Sequence, residues 1–190
     1  MSLRSFLRPA SRRVEPPPCL GDDAPALPVP QVSDDKPEIV TFLRHVGCPF
    51  AEATMRSYRE LSLQNPDMEW VAVSQAEAAE TGDWCSVLGG SGRVTFVNDP
   101  ERALYAAWGL GLTPITHWMG WRTLKDLLAL RKRGIRNRAA AGSRWQTAGS
   151  FAVDALGIVR WRHLPAYAGD LPDFAQALAA IREQQSHYRL

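Results

Sequence analysis

Cys48 stands where a short apolar run, Ile39, Val40, Phe42 and Leu43, gives way to the turn Gly47-Cys48-Pro49 and then to a stretch of helical spacing. A thiol at a helix N-terminus meets unsatisfied backbone N–H groups and the positive end of the helix macrodipole, and both favour the nucleophilic thiolate. Gly47 allows the tight turn that would present the sulfur. The competing reading is a buried, inert cysteine. His45, three residues earlier, is a candidate base or ion-pair partner for that thiol. Alternation along a strand puts residues three apart on opposite faces unless the chain has already turned, so a histidine hydrogen-bonded to backbone at a strand end competes with the catalytic role. Cys85, in Asp83-Trp84-Cys85-Ser86, is a candidate resolving thiol if its Cα comes within ~6 Å of that of Cys48. Its other reading is a thiol packed in a helix beside Trp84. Cys19, in a proline-rich stretch, is a remote candidate for the same role toward a neighbouring subunit.

Around these residues the composition is that of a globular protein. The 190 residues carry 22 Lys+Arg against 20 Asp+Glu, a net charge of +2, which does not by itself call for a polyanionic partner. Locally the balance differs: Arg122, Lys125, Arg131, Lys132, Arg133, Arg136, Arg138 and Arg144 face one acid, Asp126, over a short span. That run suits either an anionic substrate or a solvated helix whose last-turn cations complement its dipole. No nucleic-acid motif accompanies it, no His/Cys pair has zinc spacing, and no phosphate-binding glycine loop or serine elbow occurs. Neither a nucleic acid, a metal nor a cofactor is expected. The three cysteines are too few and odd in number for a disulfide framework, which fits a reducing, cytoplasmic setting. Arg4, Arg8, Arg12 and Arg13 with interspersed serines leave a mitochondrial presequence as the alternative. No apolar run approaches a membrane span. The seven tryptophans, Trp108, Trp118, Trp121, Trp145 and Trp161 among them, would mostly be core, or would line a cavity for a bulky apolar ligand.

The elements that would position Cys48 follow from periodicity. Residues 1–37, rich in proline from Pro16 to Pro37, read as an extended N-terminal arm, with the folded domain at 38–190. The first strand covers Ile39 to Leu43. A helix from Pro49 to Gln64 carries Ala51, Met55, Tyr58 and Leu61 and ends at Asn65-Pro66. Glu69 to Val73 makes a second strand, 76–87 a weak helix and Val94 to Val97 a third strand. Asp99-Pro100 opens another helix, Gly120 to Arg133 a further one. Phe151–Val153 and Ile158–Trp161 form a hairpin, and a last helix starts at Asp170 or Pro172. Strand-helix alternation followed by a late hairpin gives an α/β fold whose central mixed sheet has helices on both faces.

The run Thr41-Phe42-Leu43-Arg44-His45-Val46-Gly47-Cys48-Pro49-Phe50 resembles the start of the peroxiredoxin-like branch of the thioredoxin superfamily, the alkyl hydroperoxide reductase and thiol-specific antioxidant type. Asp99 to Gly111 resembles that branch's helix after the third strand, and Arg144-Trp145-Gln146 through Phe151 its closing hairpin. The resemblance spans about Glu38 to Ile181 and is closest to fungal-type members, some of them associated with secondary-metabolite pathways. It implies a thioredoxin-like fold and a redox-active Cys48 acting on a peroxide or endoperoxide, with Arg144 aimed at the thiolate and Arg138 as its neighbour of comparison. Thr41, Pro49, Phe50, Trp145 and Gln146 would contact the small-molecule substrate, and a homodimer is an option. Two positions depart from the pattern. Position 51 is Ala where related redox proteins often have a second Cys, so recycling would need an external thiol reductant. His45 stands where typical peroxiredoxins place Thr or Ser. These departures keep open a second function, a thioredoxin-fold tailoring enzyme, isomerase or lyase, using His45, Arg144 and His117 without redox chemistry. A third is a binding module with a wholly buried Cys48.

Overall fold

The computed structural model describes residues 8–28, 36–117 and 119–187. Ser2, Arg4 and Ser5 of the basic N-terminus, Pro30 and Trp118 lie outside them. Five strands form one sheet in the order β3-β2-β1-β4-β5. These are β1 (Glu38–Phe42), β2 (Glu69–Ser74), β3 (Val94–Asn98), β4 (Gly149–Val153) and β5 (Val159–His163). The first three are parallel, while β4 runs antiparallel to β1 and β5 antiparallel to β4. This is the mixed sheet that the strand-helix alternation implies.

Alternation along β1 divides the core. Ile39 joins a cluster with Met55, Tyr58, Trp70, Trp84, Phe174 and Ile181, to which α1 (Pro49–Gln64), α2 (Ala78–Val87), α4 (Trp121–Lys132) and α5 (Phe174–His187) contribute. Val40 and Phe42 face the other way, toward Tyr105 and Trp108 around α3 (Ala103–Ala107) and toward Phe151. Helices therefore cover both faces. The arm is extended but docked: Gly21 N donates to Val159 O at 2.9 Å, Val159 N to Asp22 O at 2.9 Å, and Ala24 N to Gly157 O at 2.8 Å. Ala24 and Leu27 pack on the second cluster. No described helix is long and apolar enough to cross a membrane.

The helix of Pro49 to Gln64 forms as its spacing predicts, with Pro49 in the first turn and the Asn65 N–H returning to Leu61 O at the end. Three boundaries differ from expectation for local reasons. The weak second helix starts at Ala78, because Glu77 and Glu80 form a capping box there. The helix expected from Asp99-Pro100 is delayed to Ala103: Arg102 adopts a left-handed φ of 59°, and the Asp99 carboxylate reaches across to accept the N–H groups of Ala103 at 2.9 Å and Leu104 at 2.8 Å. The last helix begins at Phe174, since Asp170 is used in closing a turn with Ala166 N at 2.8 Å.

Two buried tyrosines clamp the central strands from opposite faces. Tyr58 Oη donates to the carbonyls of Ile39 and Val71. Tyr105 Oη donates to Leu43 O at 2.5 Å and Val73 O at 3.0 Å, at the point where β1 gives way to the Cys48 turn. Burial pushes both phenols above their ordinary range, so both remain protonated donors. Tyr105→Phe removes the donor and leaves buried carbonyls short of a partner, so urea unfolding should show a loss of about 1 to 3 kcal/mol. An unchanged midpoint would show that this clamp does not hold the strand end.

Candidate active site

β1 ends at Phe42, whose partner on β4 is Gly149. That register brings the segment before β4, Arg144 to Ala148, to the edge of the sheet where the Arg44–Cys48 turn emerges. Gln75, at the end of β2, ties the two together. Its amide nitrogen donates to Arg44 O and to Ser143 O (2.9 Å), while its oxygen accepts Ser143 N at 2.8 Å. Arg44 Nη2 donates to Arg144 O at 2.9 Å.

The turn itself is tightly determined. Gly47 has φ +84°, and a Cβ there would run into the Ala139 carbonyl. Residues 138–141 cross over the turn, with Arg138 N donating to Gly47 O at 2.9 Å and Ala141 N to Val46 O at 3.2 Å. An ion pair clasps this crossing from below: Glu52, one turn into α1 and 1% exposed, accepts Arg138 Nε at 3.1 Å and Arg56 Nη2 at 2.8 Å. Cys48 is the N-cap of α1, in extended conformation, and 3% exposed. Its N–H donates to His45 O at 3.2 Å, so the chain has already turned between the two residues.

Cys48 opens on a cavity of about 130 Å³ with Arg44, His45 and Arg144; Asn137 and Thr123 add polar groups, and Pro49, Phe50 and Leu127 the apolar wall. None of the lining residues is acidic. Larger cavities exist, about 330 Å³ near Ile181 and 290 Å³ beside Cys85; the second also sets a thiol among arginines, Arg56 and Arg59, but Glu60 lines it too and Arg56 is paired with Glu52. Burial lowers the Arg144 pKa and the nearby positive charge of Arg44 lowers it further, while Cys48 acts in the opposite direction. Cys48 and Arg144 thus interact electrostatically.

His45 is 3% exposed, with neither ring nitrogen hydrogen-bonded, and its pKa is lowered to about 3 by burial first and then by the charges of Arg44 and Arg144. At neutral pH it is an uncharged imidazole. The expected imidazolium partner for the thiolate is therefore corrected: the positive charge beside Cys48 belongs to arginine.

Other expected site residues are placed as follows. Pro49 and Phe50 line the cavity. Thr41 does not: its hydroxyl is paired with Ser150 Oγ at 2.8 Å, in a separate cavity of about 30 Å³. Gln146 is 1% exposed, and its amide donates to Leu110 O at 2.8 Å and Gly111 O at 3.1 Å, an internal brace for a neighbouring loop. The Trp145 ring lies under Arg8, 5.5 Å from its guanidinium carbon, outside the cavity. No described tryptophan lines the cavity; Trp108 is core and Trp121 is 80% exposed. Cys85, the candidate resolving thiol, lines a different cavity from Cys48, beside Met55, Arg56 and Arg59 of α1. Burial also pushes its thiol up to about 11, away from the thiolate. Cys19 is exposed on the docked arm, its N–H held by Asp22.

Sequence reasoning gave no role to Arg44, Gln75 or Glu52. The signals were present: an arginine directly after an apolar strand, an amide directly after a second strand, and an acid four residues after Cys48 on the same helix face. It also took Arg138 as a neutral comparison for Arg144, whereas Arg138 braces the Cys48 turn through Glu52.

The depressed His45 pKa has a sign that can be checked. Below pH 6.5 an unfolded chain binds a proton on His45 that the folded chain refuses until about pH 3. Stability present above pH 6.5 should fall as pH drops through this window, by up to ~1.4 kcal/mol per pH unit from this one group. Denaturant titrations should therefore show stability falling more steeply with acid in wild type than in His45→Gln; parallel curves would contradict a buried neutral imidazole. Gly47→Ala, which adds a Cβ at positive φ against the Ala139 carbonyl, should lower stability by at least ~1 kcal/mol in the same assay.

No protein-family model and no curated protein matches the chain. Solved structures do. A peroxiredoxin-like protein from Aquifex aeolicus aligns with TM-score 0.63 and 14% identity over 90% of each chain. The thiol peroxidase from Chromobacterium violaceum aligns at 0.60 and 14% over 93% of each chain. Peroxidoxin BcpB from Mycobacterium tuberculosis aligns at 0.60 and 13%, covering 86% of this chain and 96% of that one. At these identities the likeness is one of fold, and the chain accordingly has the peroxiredoxin-like form of the thioredoxin fold.

Proposed function

We propose that the chain is a thiol peroxidase-like oxidoreductase in which Cys48 is the redox thiol. The observation that carries this reading is the cavity at the end of β1, where Cys48 at the start of α1 stands with Arg144 and without any acid. The fold shared with a thiol peroxidase supports it. The thiolate attacks the terminal oxygen of a hydroperoxide, an S–O bond forms and the O–O bond breaks. The sulfur is oxidised by two electrons to a sulfenic acid, and the departing alkoxide takes up a proton to leave as the alcohol. Arg144 stabilises the thiolate before attack and the negative charge that develops on the leaving oxygen.

Cys85 lines a different cavity and position 51 is Ala, so we assign recycling to an external thiol. One such thiol condenses with the sulfenic acid, releasing water and leaving a mixed disulfide. A second thiol attacks that disulfide, restoring Cys48 and releasing the oxidised reductant. This chemistry suits a reducing compartment such as the cytoplasm, and a homodimer is compatible with it. The tailoring-enzyme reading is weaker, because its acid–base candidates are poor: His45 has its pKa near 3, and burial lowers that of His117 as well.

Intact mass after one equivalent of hydrogen peroxide should show one added oxygen, lost on addition of excess small thiol and absent in Cys48→Ser. Arg144→Met should slow the oxidation roughly tenfold or more by removing the adjacent charge, while Arg131→Met, on the exposed end of α4, should not. No oxidised species, or oxidation that persists in Cys48→Ser, rules the reading out.

A further inference from the structure

Of the twelve large apolar side chains that stand exposed among the described residues, five fall within 115–128: Ile115, Met119, Trp121, Leu124 and Leu128. Ile115 and Met119 lie in the turn that leads into α4, where Met119 N donates to Ile115 O at 3.1 Å. The other three belong to α4 itself, and Trp121 is 80% exposed. At about 100° per residue, Trp121, Leu124, Lys125, Leu128, Arg131 and Lys132 fall within one sector of roughly 120° around the helix. All six are exposed, while Thr123 and Leu130, on the opposite side, are buried. The one acid of α4, Asp126, lies outside that sector, beside Tyr167. Among the described residues, no ion pair engages Lys125, Arg131 or Lys132.

A helix face that interleaves a tryptophan and two leucines with three unpaired cations asks for a partner that is apolar and negatively charged at once. A second copy of the chain meets only half of this, because a two-fold contact over the face sets Lys125, Arg131 and Lys132 against their own copies with no acid between them. A folded acidic protein needs a groove matched to this ridge. A fluid anionic bilayer needs none: its headgroups accept the cations, and its interfacial layer takes up the indole and the leucines. We propose that α4 docks the protein on anionic phospholipid membranes, lying in the interface without crossing it. Thr123 and Leu127 of the same helix line the Cys48 cavity, so a chain docked through α4 holds that cavity on its membrane side. The docking itself does not depend on the chemistry of Cys48.

The test sediments the full chain with vesicles of phosphatidylcholine alone, or of phosphatidylcholine with about a third phosphatidylserine. The bound fraction should be at least about fivefold higher on the anionic vesicles, and most of it should be lost at ~0.5 M salt. Tryptophan emission should shift to the blue on binding, as the Trp121 indole leaves water. The double variant Trp121→Ser/Leu128→Ser, whose changes lie on the exposed face and should leave the urea midpoint near that of wild type, should bind at least about fivefold less. Lys125→Gln/Lys132→Gln should weaken binding to the anionic vesicles in the same direction. Leu156→Ser, which alters an equally exposed leucine on the β4–β5 turn, should bind as wild type does. No binding to either vesicle overturns the proposal and leaves the face to a protein partner. Equal binding to both vesicles, or binding that survives in the folded Trp121→Ser/Leu128→Ser chain, also overturns it. So does a vesicle-free dimer that this double variant dissociates, since the face is then an interface between copies.

Discussion

Two guanidinium groups can be held beside a buried sulfur only if distant stretches of chain meet at one strand end, and the β1–β4 pairing provides that meeting. With Phe42 opposite Gly149, the segment that leads into β4 arrives where β1 releases the Cys48 turn. Arg44 and Arg144, a hundred residues apart, are then joined by a hydrogen bond from one side chain to the other's backbone. A slip of this register by one residue would move every side chain of one strand from one core cluster into the other, so the packing of both faces enforces the placement.

The arrangement works against local stability. Arg44 lowers the proton affinity of Arg144 and of His45, which records like-charge repulsion in a desolvated site. The surrounding structure opposes it with directional bonds: Gln75 fastens both arginine-bearing segments, Tyr105 holds the end of β1, and Glu52 fastens the 138–141 crossing over Gly47. Buried, unpartnered atoms of Arg44 and His45 add to that cost beside the Cys48 turn.

Much of this was legible in the sequence where the signal is local. The Gly47-Cys48-Pro49 turn announces a helix start, and the apolar spacing from Ala51 to Leu61 defines α1 to its end at Asn65. Boundaries slipped where a side chain acted at a distance along the chain, as when Asp99 caps α3 across Arg102, or where a capping box at Glu77 moved the start of α2. Roles of Thr41, Trp145 and Gln146 rested on a resemblance, and the geometry puts all three outside the Cys48 cavity: each is claimed by a neighbour, Ser150, Arg8 or the Leu110 carbonyl. Arg44, Gln75 and Glu52 escaped because the partners that bring them to the site lie 31 to 100 residues away, and no periodicity encodes a contact of that kind.

The central claim is that position and charge, not exposure, make one thiol reactive. Cys48 and Cys85 serve as internal comparisons, since both are buried, at 3% and 7% exposure, in the same molecule. The most direct measurement is the rate of oxidation at each cysteine in one sample treated with limiting hydrogen peroxide, resolved by peptide mass spectrometry. Cys48 should oxidise at least about a hundredfold faster than Cys85, as expected for a thiol at a helix N-terminus beside arginine against one within α2 that burial pushes up to about 11. Comparable rates at the two positions would contradict the account.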